Sequence, residues 1–115
     1  MPVDVKRFPP LKAQLIYQLS SDKESASCCL TFETPYRVRV SSHPEKSLHQ
    51  QNGDQHRVTF VLQNGHDDLL IIRVDHPEKS IHGCTVFYNR KQQDTPAVFQ
   101  PPFNMEVEIK EGVVS

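Results

Sequence analysis

Residues 58–74 read Val58-Thr59-Phe60-Val61-Leu62-Gln63-Asn64-Gly65-His66-Asp67-Asp68-Leu69-Leu70-Ile71-Ile72-Arg73-Val74. Two apolar, β-prone runs flank a polar break, and that arrangement decides the class. In the first run Val58, Phe60 and Leu62 fall on one parity, as on a strand with one face buried. The Asn64-Gly65 step then predicts a hairpin, because both residues accept the positive φ of a tight turn. The second run is apolar on both parities, which predicts a central strand covered on both sides.

The period of two continues in both directions. Toward the N-terminus, Tyr36, Val38 and Val40 alternate with Arg37 and Arg39, and Ala26, Cys28, Leu30 and Phe32 form one face of an earlier strand. Leu11, Ala13, Leu15, Tyr17 and Leu19 do the same before a polar break at 20–25. Toward the C-terminus come Cys84 to Tyr88, a brief Ala97-Val98-Phe99 ended by Pro101-Pro102, and Met105, Val107 and Ile109 between Glu106, Glu108 and Lys110. The apolar parities predict a core of Leu15, Leu30, Val38, Phe60, Leu62, Ile71, Val86 and Val107.

One phrase occurs twice. His43-Pro44-Glu45-Lys46-Ser47-Leu48-His49 returns as His76-Pro77-Glu78-Lys79-Ser80-Ile81-His82. Ser42 precedes the first copy and Asp75 the second, each with a Glu three residues on, the spacing of a helix capping box. Proline is tolerated in a first helical turn. Each copy therefore predicts a short capped turn joining two strands, with Leu48 or Ile81 tucked beneath the sheet. Aligned on the phrase, the preceding strands are one residue out of phase: Val40 meets Arg73 and Ser41 meets Val74. A duplicated strand would keep its faces, so the phrase reads as one connector used twice.

About seven or eight short strands, with turns every eight to twelve residues or so and no long helical period, predict an all-β fold. The expectation is a single domain over residues 1–115: a two-layer antiparallel β-sandwich with one or two short helical turns, a small β-barrel being the alternative. Immunoglobulin-like strand order fits the count, but the chain has no Trp and its cysteine spacing is wrong for the antibody-type signature.

Composition narrows function. A formal net charge of −1 over 115 residues gives no general attraction to nucleic acid or anionic membrane. No stretch has the length of a membrane-spanning helix, and Met1 to Pro10 lacks the apolar run of a signal peptide. Three cysteines, two of them adjacent, make no disulfide framework. Free thiols in a cytoplasmic protein are expected. Arg37, Arg39, Arg57 and Arg73 lie in or beside strands, but Tyr36 and Tyr88 share parity with the core, so no stacking platform for bases accompanies them.

The six histidines, His43, His49, His56, His66, His76 and His82, raise the question of metal. Positions six apart lie about 240° around a helix, so His43 and His49 share no helical face. Neither HExxH nor CxxC occurs. Ser47 and Ser80 sit near histidines without a nucleophile elbow, and Cys84 reads as the start of an apolar face. Loops on a rigid scaffold are the usual seat of recognition. The sequence thus points to a non-catalytic cytosolic module that binds a protein partner through its polar loops, without a cofactor. The contact residues expected are His43, Glu45, Lys46, His49, His56, His76, Glu78, Lys79 and His82. Edge strands also offer a route to a homo-oligomer. The alternatives are a histidine-based metal-binding protein or small enzyme, with its ligands unassigned, and a small-ligand carrier with a pocket between the sheets.

Overall fold

A computed structural model describes residues 11–43, 47–75, 81–91, 95–98 and 105–114. It has nine strands: β1 Leu11–Leu19, β2 Ser25–Glu33, β3 Arg37–His43, β4 Leu48–Asn52, β5 Gln55–Gln63, β6 Asp67–Asp75, β7 Ile81–Tyr88, β8 Pro96–Val98 and β9 Met105–Glu111. They form a five-stranded sheet in the order β4-β5-β2-β1-β9 and a four-stranded sheet in the order β3-β6-β7-β8. The sheets do not close into a barrel. The expected two-layer sandwich is the fold, and the order β1-β2-β5-β4 against β3-β6-β7 is that of the immunoglobulin constant-type sandwich, ABED against CFG.

Alternation explains the core. Leu15 pairs with Leu30, and Leu30 with Val58, so the same apolar parity stacks across three strands. Their side chains meet Val38, Leu70, Ile72, Val74, Val86 and Tyr88 from the other sheet in one buried cluster. Each fully buried Leu, Ile or Val contributes about 1.5–3 kcal/mol against exposure to water. Of the predicted core, Leu15, Leu30, Val38, Phe60, Leu62 and Val86 are buried.

Ile71 is a correction. Pairing of Val38 with Val74 and Val40 with Ile72 turns Leu70, Ile72 and Val74 inward. Ile71 is left half-buried on the outer face beside exposed Leu69 and Arg73. The strand is flanked by β3 and β7 as expected, but its outer face is not covered. Val107 is also only half-buried, because β9 is an edge. Tyr36, expected on the core face, lies in the bend before β3 and is exposed.

The Asn64-Gly65 hairpin is a second correction. Here β5 and β6 belong to different sheets, and the Asn-Gly step carries the chain from one to the other. Gly65 does take positive φ, 83°. Asn64, however, is held by distant groups: its N–H donates to the Glu24 carbonyl at 2.8 Å, and its Oδ1 accepts from the Arg90 N–H at 2.7 Å. The hairpin next to the first phrase is instead β4–β5, closed by Gly53 and Asp54 with Gly53 at φ 64°. Antiparallel pairing prevails between the described strands, but β9 runs parallel to β1 from Leu11↔Met105 to Tyr17↔Glu111, and a single parallel bridge joins Asn64 to Tyr88.

Candidate functional site

The bodies of the expected capped turns, residues 44–46 and 76–80, lie outside the described residues. The tails of the two phrases open strands: Leu48-His49 begins β4, and Ile81-His82 begins β7. Leu48 is 57% exposed rather than tucked under a sheet. Ser42, expected to cap, lies within β3 opposite Leu70, and its Oγ is 2.9 Å from Ser47 Oγ. Asp75, the other expected cap, accepts from Arg39 Nη2 at 3.2 Å. Glu45, Lys46, His76, Glu78 and Lys79 lie outside the described residues, as do the side chains of His43 and His82.

The strand ends nevertheless locate the two connections. The first leaves β3 at His43, opposite Leu69; the second leaves β6 at Asp75, opposite Arg37. These are opposite ends of one strand pair, about 20 Å apart at 3.3 Å per residue. The two phrases do not start from a common end of the pair. The one-residue phase difference is visible too: Val40 packs half-buried against the core, whereas its counterpart Arg73 is exposed.

Two of the expected histidines do meet. His49 pairs with Val58, and His56 with Gln51, which makes the histidines diagonal neighbours on the inward face of the β4–β5 ribbon. His49 Nε2 lies 3.0 Å from His56 Nδ1, with the rings stacked at 5.3 Å between centroids. On its other side His56 stacks on Phe32, at 5.2 Å and 11°. His56 is only 2% exposed, and its buried Nε2 has no hydrogen-bond partner among the described residues. If His49 donates, His56 Nε2–H is a buried donor with no acceptor; if His56 Nδ1–H donates, Nε2 is a buried lone pair with no donor. Burial, and then the neighbouring His56, hold His49 below the ordinary imidazole value.

The larger feature is a groove of about 820 Å³, lined mostly from the outer face of the five-stranded sheet. Register builds its floor. Glu108 lies beside Gln14, Gln14 opposite Thr31, Thr31 opposite Arg57, and Arg57 opposite Gln50, giving one polar row across all five strands. Beside it run Ile16 and Cys29, with Arg57 Nε donating to Cys29 Sγ at 3.2 Å. Val113 and Val114 form part of the wall. That segment is tied down by Gly112 N–H to the Tyr17 carbonyl at 2.9 Å and Val114 N–H to Gln18 Oε1 at 3.1 Å. Gly112 suits the crossing, because a Cβ there would come within 3.1 Å of Ile16 Cγ2.

Sequence reading missed this row. Each member stands on the polar parity of its own strand, but only the strand order places the members side by side. The arginines also divide: Arg37, Arg39 and Arg73 share the outer face of the four-stranded sheet, with Arg39 directly opposite Arg73, while Arg57 lies on the other sheet. At the far end of the sandwich, Tyr88 Oη donates to the Lys23 carbonyl at 2.7 Å, and Arg90 Nη1 bridges the Asp22 carbonyl and the Glu24 carboxylate. With the Asn64 bonds described above, they fasten three connections together, β1–β2, β5–β6 and β7–β8. Among the described residues no three His, Cys, Asp or Glu side chains are grouped to hold a metal ion, and no helix is long and apolar enough to cross a membrane. No family model, curated protein or solved structure matches the chain.

Proposed function

We propose that this domain is a protein-interaction module that holds an extended segment of a partner protein in the groove over its five-stranded sheet. The observation that carries this reading is the floor itself. Gln14, Thr31, Arg57 and Gln50 present amide, hydroxyl and guanidinium groups from adjacent strands, with Ile16 beside them as an apolar contact. Strand-mounted side chains are held more precisely than loop ones. Lys12 and Arg57 are balanced by Glu33 and Glu108 in the same lining, which suits a polar segment of low net charge. The two His-Pro-Glu-Lys-Ser phrases enter this reading as separate contact points at opposite ends. Buried thiols at Cys28 and Cys29 fit a reducing compartment such as the cytosol.

The test is selection of binders from a random peptide library, followed by amide chemical-shift mapping. Perturbations should centre on Gln14, Thr31, Gln50 and Arg57. Failure to select any peptide, or shifts confined to the loops, would overturn the reading.

A further inference from the structure

Among the described residues four strands end the two sheets: β4 and β9 in one, β3 and β8 in the other. Proteins guard such edges with charge, proline or shortness, because an open edge offers unpaired N–H and C=O groups to any extended chain. Three of these edges are guarded. Arg37 and Arg39 stand on β3, and Glu106, Glu108, Lys110 and Glu111 on β9. The third, β8, begins with Pro96. The fourth, β4, reads Leu48-His49-Gln50-Gln51-Asn52, with no Lys, Arg, Asp, Glu or Pro. All but His49 are exposed.

We infer that β4 is a docking edge to which an extended segment of a partner protein adds as a sixth strand. The inference rests on the interaction reading above and specifies how the segment is held. Leu48, Gln50 and Asn52 share the outer face with Thr59, Arg57 and Gln55, their pairing partners on β5. A strand laid along β4 therefore projects every second side chain onto the face where Gln50 and Asn52 line the groove. Backbone bonds to the edge supply affinity, and the side chains reaching the groove supply selection. The chemistry that fits is an extended, proline-free segment with uncharged hydrogen-bonding residues (Gln, Asn, Ser or Thr) at alternate positions, matching the amides of Gln50 and Asn52.

A second copy of the chain fits less well. Antiparallel β4–β4 pairing centred on Gln50 would join only the five residues of β4 in each chain, whereas a free segment can run on past both ends of β4 along the groove.

The probes are the peptides selected in the preceding experiment, N-methylated at alternate residues in the two opposite phases. Methylation of the N–H groups that face β4 should weaken binding about 30-fold or more, the loss of two or three backbone bonds. The opposite phase should stay within a few-fold. A Leu48→Lys/Gln51→Lys variant, which supplies the missing guard charges, should bind the unmodified peptide more weakly while keeping its melting temperature. Equal sensitivity in both phases, or none, would mean that the groove is used without strand addition; that result overturns this inference and leaves the interaction reading standing. A concentration-dependent dimer in sedimentation that the peptide dissolves would make a second copy the natural occupant and also overturn it. If no peptide is selected, both readings fall.

Discussion

Replacing His56 by Leu should stabilise this protein. The imidazole is buried, and whichever tautomer it adopts, Nε2 has no partner. An unsatisfied buried polar group costs about 1–3 kcal/mol, so its removal regains about 2. Leucine is close to histidine in volume and adds buried apolar area, about 1 kcal/mol more. Against this stand the bond to His49, about 1 kcal/mol, and the stack on Phe32, another 1 or so. Half-buried His49 can turn to water for the bond it loses. The balance is a gain of about 1 kcal/mol, a rise of about 4 °C in melting temperature for a domain of this size. The assay is urea unfolding at pH 8, above the range in which His49 titrates, comparing midpoints at an unchanged m value. His56→Ala is the control: it removes the same orphan atom but leaves a cavity, and should lose about 2–4 kcal/mol relative to His56→Leu. If His56→Leu is less stable than the parent by 1 kcal/mol or so, Nε2 has a partner in solution and the account of an orphaned atom is wrong.

The remaining predictions address other links in the structure. His49 has a folded-state pKa below its unfolded value of about 6.5. Its contribution is therefore present above that pH and is lost as pH falls through the folded pKa. Melting curves between pH 8 and 5 should show this decline, and His49→Gln should flatten it. Tyr88→Phe removes the bond that ties β7 to the β1–β2 turn; it should cost about 1–2 kcal/mol and raise amide exchange at residues 20–24 ahead of the core strands. Gly53→Ala meets no atom within 4 Å, so only the positive φ of 64° resists it; a loss near 1 kcal/mol is expected in urea unfolding, and no loss would mean the turn reshapes.

How much of this was legible in the chain depended on whether a strand has one wet face. In β1, β2 and β5 the inward parity is wholly apolar but for His56, and the outward one is polar but for Ile16, Cys29 and Val61, so the inward residues follow directly. Leu69-Leu70-Ile71-Ile72 has no such contrast. Its phase comes from β3, whose alternating arginines force Val38 and Val40 inward and, through pairing, Val74 and Ile72 with them. The Asn64-Gly65 step misled because Gly65 takes the positive φ it would have in a tight hairpin turn, although Asn64 does not. What sets the crossing apart is Glu24, forty residues away along the chain, which holds Asn64 through its backbone carbonyl. The groove was illegible for a related reason: Gln14, Thr31, Arg57 and Gln50 are spread over strands that become neighbours only once the order β4-β5-β2-β1 exists.

The parallel pairing of β1 with β9 has a mechanical meaning. The chain enters β1 at Leu11 and leaves β9 at Glu111, and the register from Leu11↔Met105 to Tyr17↔Glu111 places these points at opposite ends of the pair. Tension drawn through the two ends slides one strand along the other. Every backbone bond between them is then strained at once, as in a lap joint, instead of opening one by one as in a zipper. The Gly112 bond to Tyr17 extends the overlap by another step. A domain of ordinary thermal stability would on this geometry resist stretching end to end more than its melting temperature suggests. Optical-tweezer traces should show a single high-force rupture when handles are placed before residue 11 and after residue 112. A handle moved to residue 105, at the Leu11 end of the pair, would pull β9 away from β1 from that end, and the rupture force should drop; equal forces in the two geometries would show that this joint is not what yields.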